Sequence, residues 1–354
     1  MFARDVLSHS LVNGQRVYPV SVPYLQYPFE YPFFSGLLQL LVNLFAESSP
    51  QPLLAATLFS SVMMGGFAAG IVLLYYFLGV GWRRVGLYFA SLPLVLMQFD
   101  VSYDLAQAFL FLLAYHFLVK RRREGVSAVL LALSAGTKLL PLLFFPAYLK
   151  EVKGKGRYAA LFFSVFLGGL AAQLLLNVNN TLRTLSFESH YGVEGSWLGF
   201  LFPGSVIQYR VATWIIGDAT TLTVKPVYFV SAALLLPSTI LVYVSRLTLE
   251  HKMFLILSLE VAFLWISPPQ FMLNLAALAP LVFEVDWKKV ASWWAVTIFA
   301  TPLLLSDILY LLGLSHQGPG GLIVYPAAWW LTVGAATQLG VLSFATVFCL
   351  PRKR

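Results

Sequence analysis

The chain has 354 residues, of which 59% are hydrophobic and only 11% are charged. Its mean hydropathy of +0.79 is too apolar for a soluble domain of this length. The net charge of +8 comes largely from basic residues in short connectors, so we expect no nucleic-acid partner. The single cysteine, Cys349, excludes an intramolecular disulfide, a cysteine-based zinc site and an iron–sulfur cluster.

Long apolar runs alternate with short polar connectors, which is typical of membrane helices and not of a barrel. We predict an all-α, polytopic integral membrane protein with about 9–11 hydrophobic helices, some re-entrant or of half length. In chain order the predicted segments are 33–46, 52–80, 85–98, 105–119, 126–149, 158–178, 226–245, 253–267, 270–283, 290–312 and 322–349. Residues 1–32 and 179–225 are predicted to be external loops, which leaves membrane modules at 33–178 and 226–354.

Basic residues concentrate in a few connectors, which hold 17 of the 23 lysines and arginines. These connectors are Arg83–Arg84, Lys120–Arg123, 150–157, Arg246 with Lys252, Lys288–Lys289 and 352–354. The positive-inside rule predicts that all of them are cytoplasmic.

Residues 126–149 lie between two of these basic connectors, so the chain must enter the membrane and return within this segment. Its helical length is about 36 Å, too short for two crossings of a core that is ~30 Å thick. We therefore predict a re-entrant hairpin that turns near Gly136–Lys138 and forms the wall of a cavity. The short segment 33–46 is predicted to be a half-helix on the outer side.

With this topology, six acidic residues fall on the external face: Asp5, Glu30, Asp100, Asp104, Glu188 and Glu194. A solvated rim would explain any one of them. Ionised carboxylates are strongly disfavoured next to hydrocarbon, however, and Lys138 points toward this face from below. The combination predicts an active site on the extracytoplasmic side of a multi-pass protein of the cell membrane. His116 lies within an apolar helix and is predicted to be packed rather than functional.

Four stretches carry a resemblance to a known group of proteins. They are "VPYLQYPFEYPFFSGLL" (22–38), "YDLAQAFLFLLAYHFLVKRRREGVSAVLLALSAGTKLLPLLFFPAYL" (103–149), "SFESHYGVEGSW" (186–197) and "ISPPQFMLNLAALAPL" (266–281). In this order they resemble membrane glycosyltransferases of the GT-C superfamily, especially glycosyltransferase family 87 and the related GPI mannosyltransferase I. The third stretch lacks the arginine of that family. The family's first transmembrane helix has no counterpart ahead of Asp5, so we expect either a start upstream of Met1 or an unanchored N-terminus.

The resemblance implies transfer of a hexose, such as mannose, from a polyprenyl-phosphate donor to a lipid or glycan acceptor outside the cytoplasm. It assigns Asp5 as the general base and Asp100 as a further catalytic candidate. Asp104 would assist the base or bind Mg²⁺ or Mn²⁺. Lys138 would stabilise the leaving phosphate. The other expected substrate-binding residues are Glu30, Tyr31, Glu188, His190, Glu194 and Gln270.

Simpler interpretations stay open from the sequence alone. Asp104 could cap the helix that follows it, and Lys138 could be no more than its ion-pair partner. The whole chain could also be a transporter or lipid flippase without transferase activity, or a non-catalytic subunit of a membrane transferase.

Overall fold

The computed structural model describes residues 11–12, 15–16, 22–25, 29, 31–91, 103–190, 192–193, 195–205, 209–211, 224–266, 271–286, 288–297, 322–324 and 327–349. This part of the chain is mainly α-helical, as the sequence predicts. The helices are α1 (Phe33–Glu47), α2 (Pro52–Leu78), α3 (Trp82–Phe89), α4 (Asp104–Val119), α5 (Glu124–Ala135), α6 (Phe145–Glu151), α7 (Lys155–Leu176), α8 (Val178–His190), α9 (Leu198–Leu201), α10 (Pro226–Val244), α11 (Leu249–Phe263), α12 (Phe271–Val282) and α13 (Ala327–Cys349). Residues 288–297 are also helical, and 3₁₀ helices cover Leu140–Phe144 and Pro203–Ser205. Two antiparallel pairs join the strands β1 (Leu11–Val12) with β2 (Gln15–Arg16) and β3 (Tyr209–Val211) with β4 (Leu322–Val324).

Four helices of the described chain are long and apolar enough to cross a membrane. They are Leu54–Leu78 in α2, Lys155–Leu176, Pro226–Val244 and Leu331–Cys349 in α13. Large apolar side chains stay exposed on these helices, such as Val62 and Leu175. A surface of this kind suits lipid better than water, which indicates a membrane protein.

Helix α4 lies at the centre of the bundle, between α2, α5 and α12. Its residues are apolar on nearly every side, and Leu105, Phe111 and Leu112 are all buried. A helix that is hydrophobic all round belongs in a core. The hydroxyl of Tyr75 on α2 donates to the carbonyl oxygen of Ala277 on α12 at 2.7 Å, which joins two of the neighbouring helices.

The hairpin predicted for residues 126–149 is confirmed. Helix α5 ends at Ala135, the chain turns through Gly136–Lys138, and the 3₁₀ helix and α6 return. The Glu124 carboxylate accepts hydrogen bonds from the backbone N–H groups of Lys153 at 2.8 Å and Gly154 at 3.1 Å. The two ends of the hairpin therefore lie together. The same two bonds lower the pKa of Glu124 below its ordinary value. The depth of the hairpin in a membrane stays a prediction.

Several basic connectors meet at one end of the bundle, which we call the basic end (residues 83–84, 120–124 and 150–157). Arg84 pairs with Glu284 at 2.9 Å, and Lys150 donates to the carbonyl oxygen of Tyr243 at 2.8 Å. Helices α4, α5 and α12 each have one end here. Their other ends meet at the opposite pole, which we call the site end.

Two stretches differ from the sequence prediction. The connector 179–225 begins as a helix, α8, where the side-chain oxygen of Asn177 accepts the backbone N–H of Asn180 at 3.2 Å. The segment 322–349 begins as strand β4, in which Ile323 lies opposite Arg210 of β3, and helix α13 starts only at Ala327. β-Branched residues favour a strand when a partner strand is available.

Candidate functional site

Asp104 and Lys138 form a buried ion pair at the site end. The ammonium of Lys138 lies 2.6 Å from Oδ2 of Asp104, whose side chain is fully buried, and the Lys138 side chain is 8% exposed. The expectation that Asp104 caps its helix is wrong, because Tyr103 is the N-cap and Asp104 is the first residue of α4. Lys138 pairs with Asp104, as one of the alternatives left open by the sequence required, and whether it has a further role stays a prediction.

The turn of the hairpin holds Lys138 in place by docking on the start of α1. The carbonyl oxygen of Gly136 accepts the backbone N–H of Phe34 at 2.9 Å. The carbonyl oxygen of Thr137 accepts the hydroxyl of Ser35 at 2.7 Å. Two consecutive carbonyl groups that would otherwise lack partners in the turn are thereby satisfied, and the next residue, Lys138, is fixed.

Two aromatic rings flank the ammonium group. Nζ of Lys138 lies 5.1 Å from the centre of the Tyr31 ring and 5.5 Å from that of Phe271. The faces of aromatic rings carry negative potential and stabilise a cation at this distance. Tyr31 is therefore the third predicted site residue that the fold brings to this place.

Two amide side chains at the site were not predicted. Nδ2 of Asn274 donates to Oδ1 of Asp104 at 3.1 Å, while Oδ1 of Asn274 has no hydrogen-bond partner in the described structure. Gln107 lies one turn along α4, fully buried, and neither end of its amide has a partner there. The sequence does carry a signal for them, because each is an isolated amide in an apolar helix. In addition, Asp104 and Gln107 are three residues apart and so lie on one face of α4.

Helix α1 turns a polar stripe toward the interior. Ser35, Gln39 and Asn43 recur every four residues, and all three are buried. Nε2 of Gln39 donates to Oδ1 of Asn43 at 2.8 Å, and the hydroxyl of Tyr103 donates to Oε1 of Gln39 at 2.5 Å. A hydrogen-bonded polar layer therefore extends from the ion pair into the bundle.

Helix α8 packs on the segment that precedes α1. Nδ2 of Asn180 donates to the carbonyl oxygen of Tyr24 at 2.8 Å. The hydroxyl of Thr184 donates to the carbonyl oxygen of Phe29 at 3.2 Å. Glu188 lies at the end of α8, with His190 as its last residue, although the positions of both side chains fall outside the described structure. The backbones of the four resembling stretches thus meet at the site end.

The remaining predicted site residues lie outside the described residues: Asp5, Glu30, Asp100, Glu194 and Gln270. Within the described part of the chain, no three histidine, cysteine, aspartate or glutamate side chains are grouped to hold a metal ion. Asp104 supplies one carboxylate, and an ammonium already lies against it. A site for Mg²⁺ or Mn²⁺ stays a prediction, and no step below depends on one.

Three helices begin at the site end: α1 at Phe33, α4 at Asp104 and α12 at Phe271. Each helix N-terminus carries a partial positive charge, which favours anions. The charge of the Lys138 ammonium is balanced by the Asp104 carboxylate 2.6 Å away.

An apolar groove of about 450 Å³ opens beside the site, between α1 and α7. Tyr24 and Phe33 line it near the start of α1, and Leu40 and Leu176 line it further along that helix. The hydroxyl of Tyr24 donates to the carbonyl oxygen of Tyr31, the residue whose ring flanks Lys138. The groove therefore lies next to the segment that carries Tyr31.

A scan of protein-family models finds no match to this chain, and a search of curated proteins finds none either.

Proposed function

We propose that the protein is a membrane glycosyltransferase of GT-C type that moves a hexose from a polyprenyl-phosphate donor to an extracytoplasmic lipid or glycan acceptor. The observation that carries the proposal is the Asp104–Lys138 pair, buried at the pole opposite the basic end. A buried ion pair gains little stability over apolar residues of similar volume. Charges retained at such a place favour a functional role.

The surroundings of the pair suit a phosphate attached to a lipid. Lys138 and three helix N-termini favour an anion at the site end. The apolar groove that starts at Tyr24 would take the first part of the polyprenyl tail. The donor phosphate would then lie at the boundary between the groove and the polar layer of α1.

The chemistry is a direct displacement. The oxygen of the acceptor hydroxyl attacks the anomeric carbon, the bond from that carbon to the phosphate oxygen breaks, and the phosphate leaves with the bonding electrons. A carboxylate takes the acceptor proton, and Asp5 is proposed for this step with Asp104 assisting. The ammonium of Lys138 would move from Asp104 toward the negative charge that develops on the phosphate.

Transport or flipping of a polyprenyl-linked lipid without sugar transfer is the second candidate. The complete burial of Asp104 favours it, since a general base must reach its acceptor. Transfer and transport give different products, so one assay distinguishes them.

The test is sugar transfer by the purified protein in lipid vesicles, with radiolabelled polyprenyl-phosphate mannose and glucose as donors and lipid extracts as acceptors. We expect transfer by the native chain, loss of most turnover in Lys138→Ala, and partial activity in Lys138→Arg, which keeps the charge but changes its geometry. Asp104→Asn should also lose activity.

The matched control is Lys252→Ala, which removes a buried lysine near the basic end. It should retain transfer. Labelled donor that crosses the bilayer unchanged, in the native chain and in Lys252→Ala alike, would replace the transferase proposal with the transport one.

A further inference from the structure

A second groove, of about 450 Å³, lies between α2 and α4 and runs to the basic end. Its apolar part is lined by residues that include Gly70, Leu73, Phe77 and Phe109. Leu73 and Phe77 remain about half exposed, so the groove is open on the side of α2, which is one of the four candidate spans. It lies at the opposite pole from the ion pair and has no part in the proposed transfer reaction.

Gly70 gives the groove its depth. A Cβ atom at this position would lie 2.7 Å from the ring of Phe109, so the absence of a side chain lets that ring pack close to α2. From Gly70 to Phe77 the helix rises about 10 Å, enough for the upper part of an acyl chain. The ring of Phe77 then meets the ring of His116 at 6.1 Å between centroids, where the groove becomes polar.

His116 lies at this polar end and has a buried ring nitrogen without a hydrogen-bond partner in the described structure. Its side chain lines the groove, the residue is only 6% exposed, and Nδ1 has no hydrogen-bond partner in the described structure. Nε2 accepts a hydrogen bond from Nε of Arg121 at 3.4 Å. In the neutral ring Nδ1 then carries the hydrogen, so it is a buried donor that lacks an acceptor.

Two arginines complete the polar end. Arg121 and Arg123 line the groove and are otherwise exposed, whereas Arg122 between them does not line it. Arg122 adopts a left-handed backbone conformation with φ of 53°, so the chain changes direction between Arg121 and Arg123. The backbone N–H of Arg123 bonds the carbonyl oxygen of Phe117 at 2.9 Å, which holds the loop against the end of α4.

We propose that this groove binds an anionic glycerophospholipid of the leaflet at the basic end. The phosphate would accept hydrogen bonds from Nδ1 of His116 and from the guanidinium groups of Arg121 and Arg123, and one acyl chain would lie along Leu73 and Phe77. The groove has an apolar surface on a candidate spanning helix, and hydrogen-bond donors lie at one end of it. This arrangement suits a lipid, which joins an acyl chain to a phosphate. A soluble phosphate compound would leave that apolar surface uncovered.

The test is native mass spectrometry of the purified chain, titrated with dioleoyl phosphatidylglycerol or with dioleoyl phosphatidylcholine. Each arginine near an anionic phosphate contributes about a fivefold change, so the native chain should prefer phosphatidylglycerol by roughly thirtyfold. Arg121→Gln with Arg123→Gln should reduce the preference to within about twofold. Leu73→Trp fills the groove from its exposed side and should weaken the binding of both lipids.

The matched control is Arg122→Asn, which removes a charge from the same loop at a position outside the groove and suits the left-handed backbone. It should keep the preference of the native chain. Three outcomes would each overturn the proposal: equal affinity of the native chain for the two lipids, an effect of Arg122→Asn as large as that of the double arginine variant, or unchanged binding by Leu73→Trp.

Discussion

At the scale of single residues, the ion pair combines a structural and a proposed functional role. Asp104 is fully buried, and its two carboxylate oxygens bond Lys138 and Asn274. Removal of one partner leaves the other charge buried and unpaired, which costs far more than removal of both. Any functional test at this site must separate lost activity from lost folding.

Lys138→Ala should therefore destabilise the fold by about 3–5 kcal/mol. The double variant Lys138→Met with Asp104→Asn removes both charges and still offers an amide oxygen to Asn274, so it should melt close to the native chain. The measurement is the midpoint of thermal unfolding in detergent. A double variant as unstable as Lys138→Ala would contradict the view that unpaired charge is the cause.

A close contact between two glycines gives a second prediction at this scale. A Cβ atom on Gly334 of α13 would lie 1.9 Å from the carbonyl oxygen of Gly195. The clash would be with backbone atoms, which cannot move aside without a large cost in free energy. On the same helix, a Cβ atom on Gly340 would make an ordinary contact of 3.5 Å with Val296.

Gly334→Ala should consequently lower the thermal midpoint, although alanine is the better helix former. Gly340→Ala is the matched control and should raise stability by up to about 1 kcal/mol. Equal effects of the two substitutions would mean that the 195–205 loop is not held tightly on α13.

At the scale of elements, the hairpin at 126–149 was predictable from the sequence, whereas the polar side chains near its turn were not. Basic residues on both flanks of 126–149 require the chain to return, and the structure places Glu124 against Gly154. Asn274 and Gln107 could not be assigned, because an isolated amide in an apolar helix is equally compatible with local packing.

Strand β4 shows the other limit of the sequence. Residues 322–324 continue an apolar run that reads as helix, and their partner strand β3 lies more than a hundred residues earlier. Pairing over such a distance leaves no periodic signal along the chain, so the sequence predicted the helix of roughly 322–349 but not the short strand at its start.

Glu124 gives the hairpin a testable dependence on pH. Its pKa is lowered in the folded protein, so its contribution to stability is complete at neutral pH and is lost as pH falls through that lowered pKa. Glu124→Gln should lower the thermal midpoint at pH 7, and the difference from the native chain should vanish as the pH falls through the lowered pKa of Glu124. A difference that stays constant with pH would show that the carboxylate does not close the hairpin.

At the scale of the whole molecule, the bundle has two chemically different poles. The basic end carries Arg84, Lys150 and the loop 120–123, whereas the site end carries the buried pair and the starts of α1, α4 and α12. From the positive-inside rule we expect the basic end to lie in the cytoplasm and the site outside it.

Two exposed glycines test this orientation. A Cβ atom at Gly204, near the site end, or at Gly156, at the basic end, would meet no atom within 4 Å, so cysteine fits at both. We expect Gly204→Cys to react with an impermeant thiol reagent on intact cells and Gly156→Cys to react only after lysis. The native Cys349 is buried and should give little background. The reverse labelling pattern would place the site in the cytoplasm and remove the polyprenyl-phosphate proposal.

We propose that Lys138, held in place by its pairing with Asp104, binds the phosphate of a lipid-linked sugar donor. The most direct test is the affinity of the folded double variant, Lys138→Met with Asp104→Asn, for polyprenyl-phosphate mannose and glucose in detergent, compared with the native chain. We expect the native chain to bind at least one donor and the double variant to lose this binding while keeping its thermal midpoint. Donor binding by the double variant equal to that of the native chain would show that the pair is structural only.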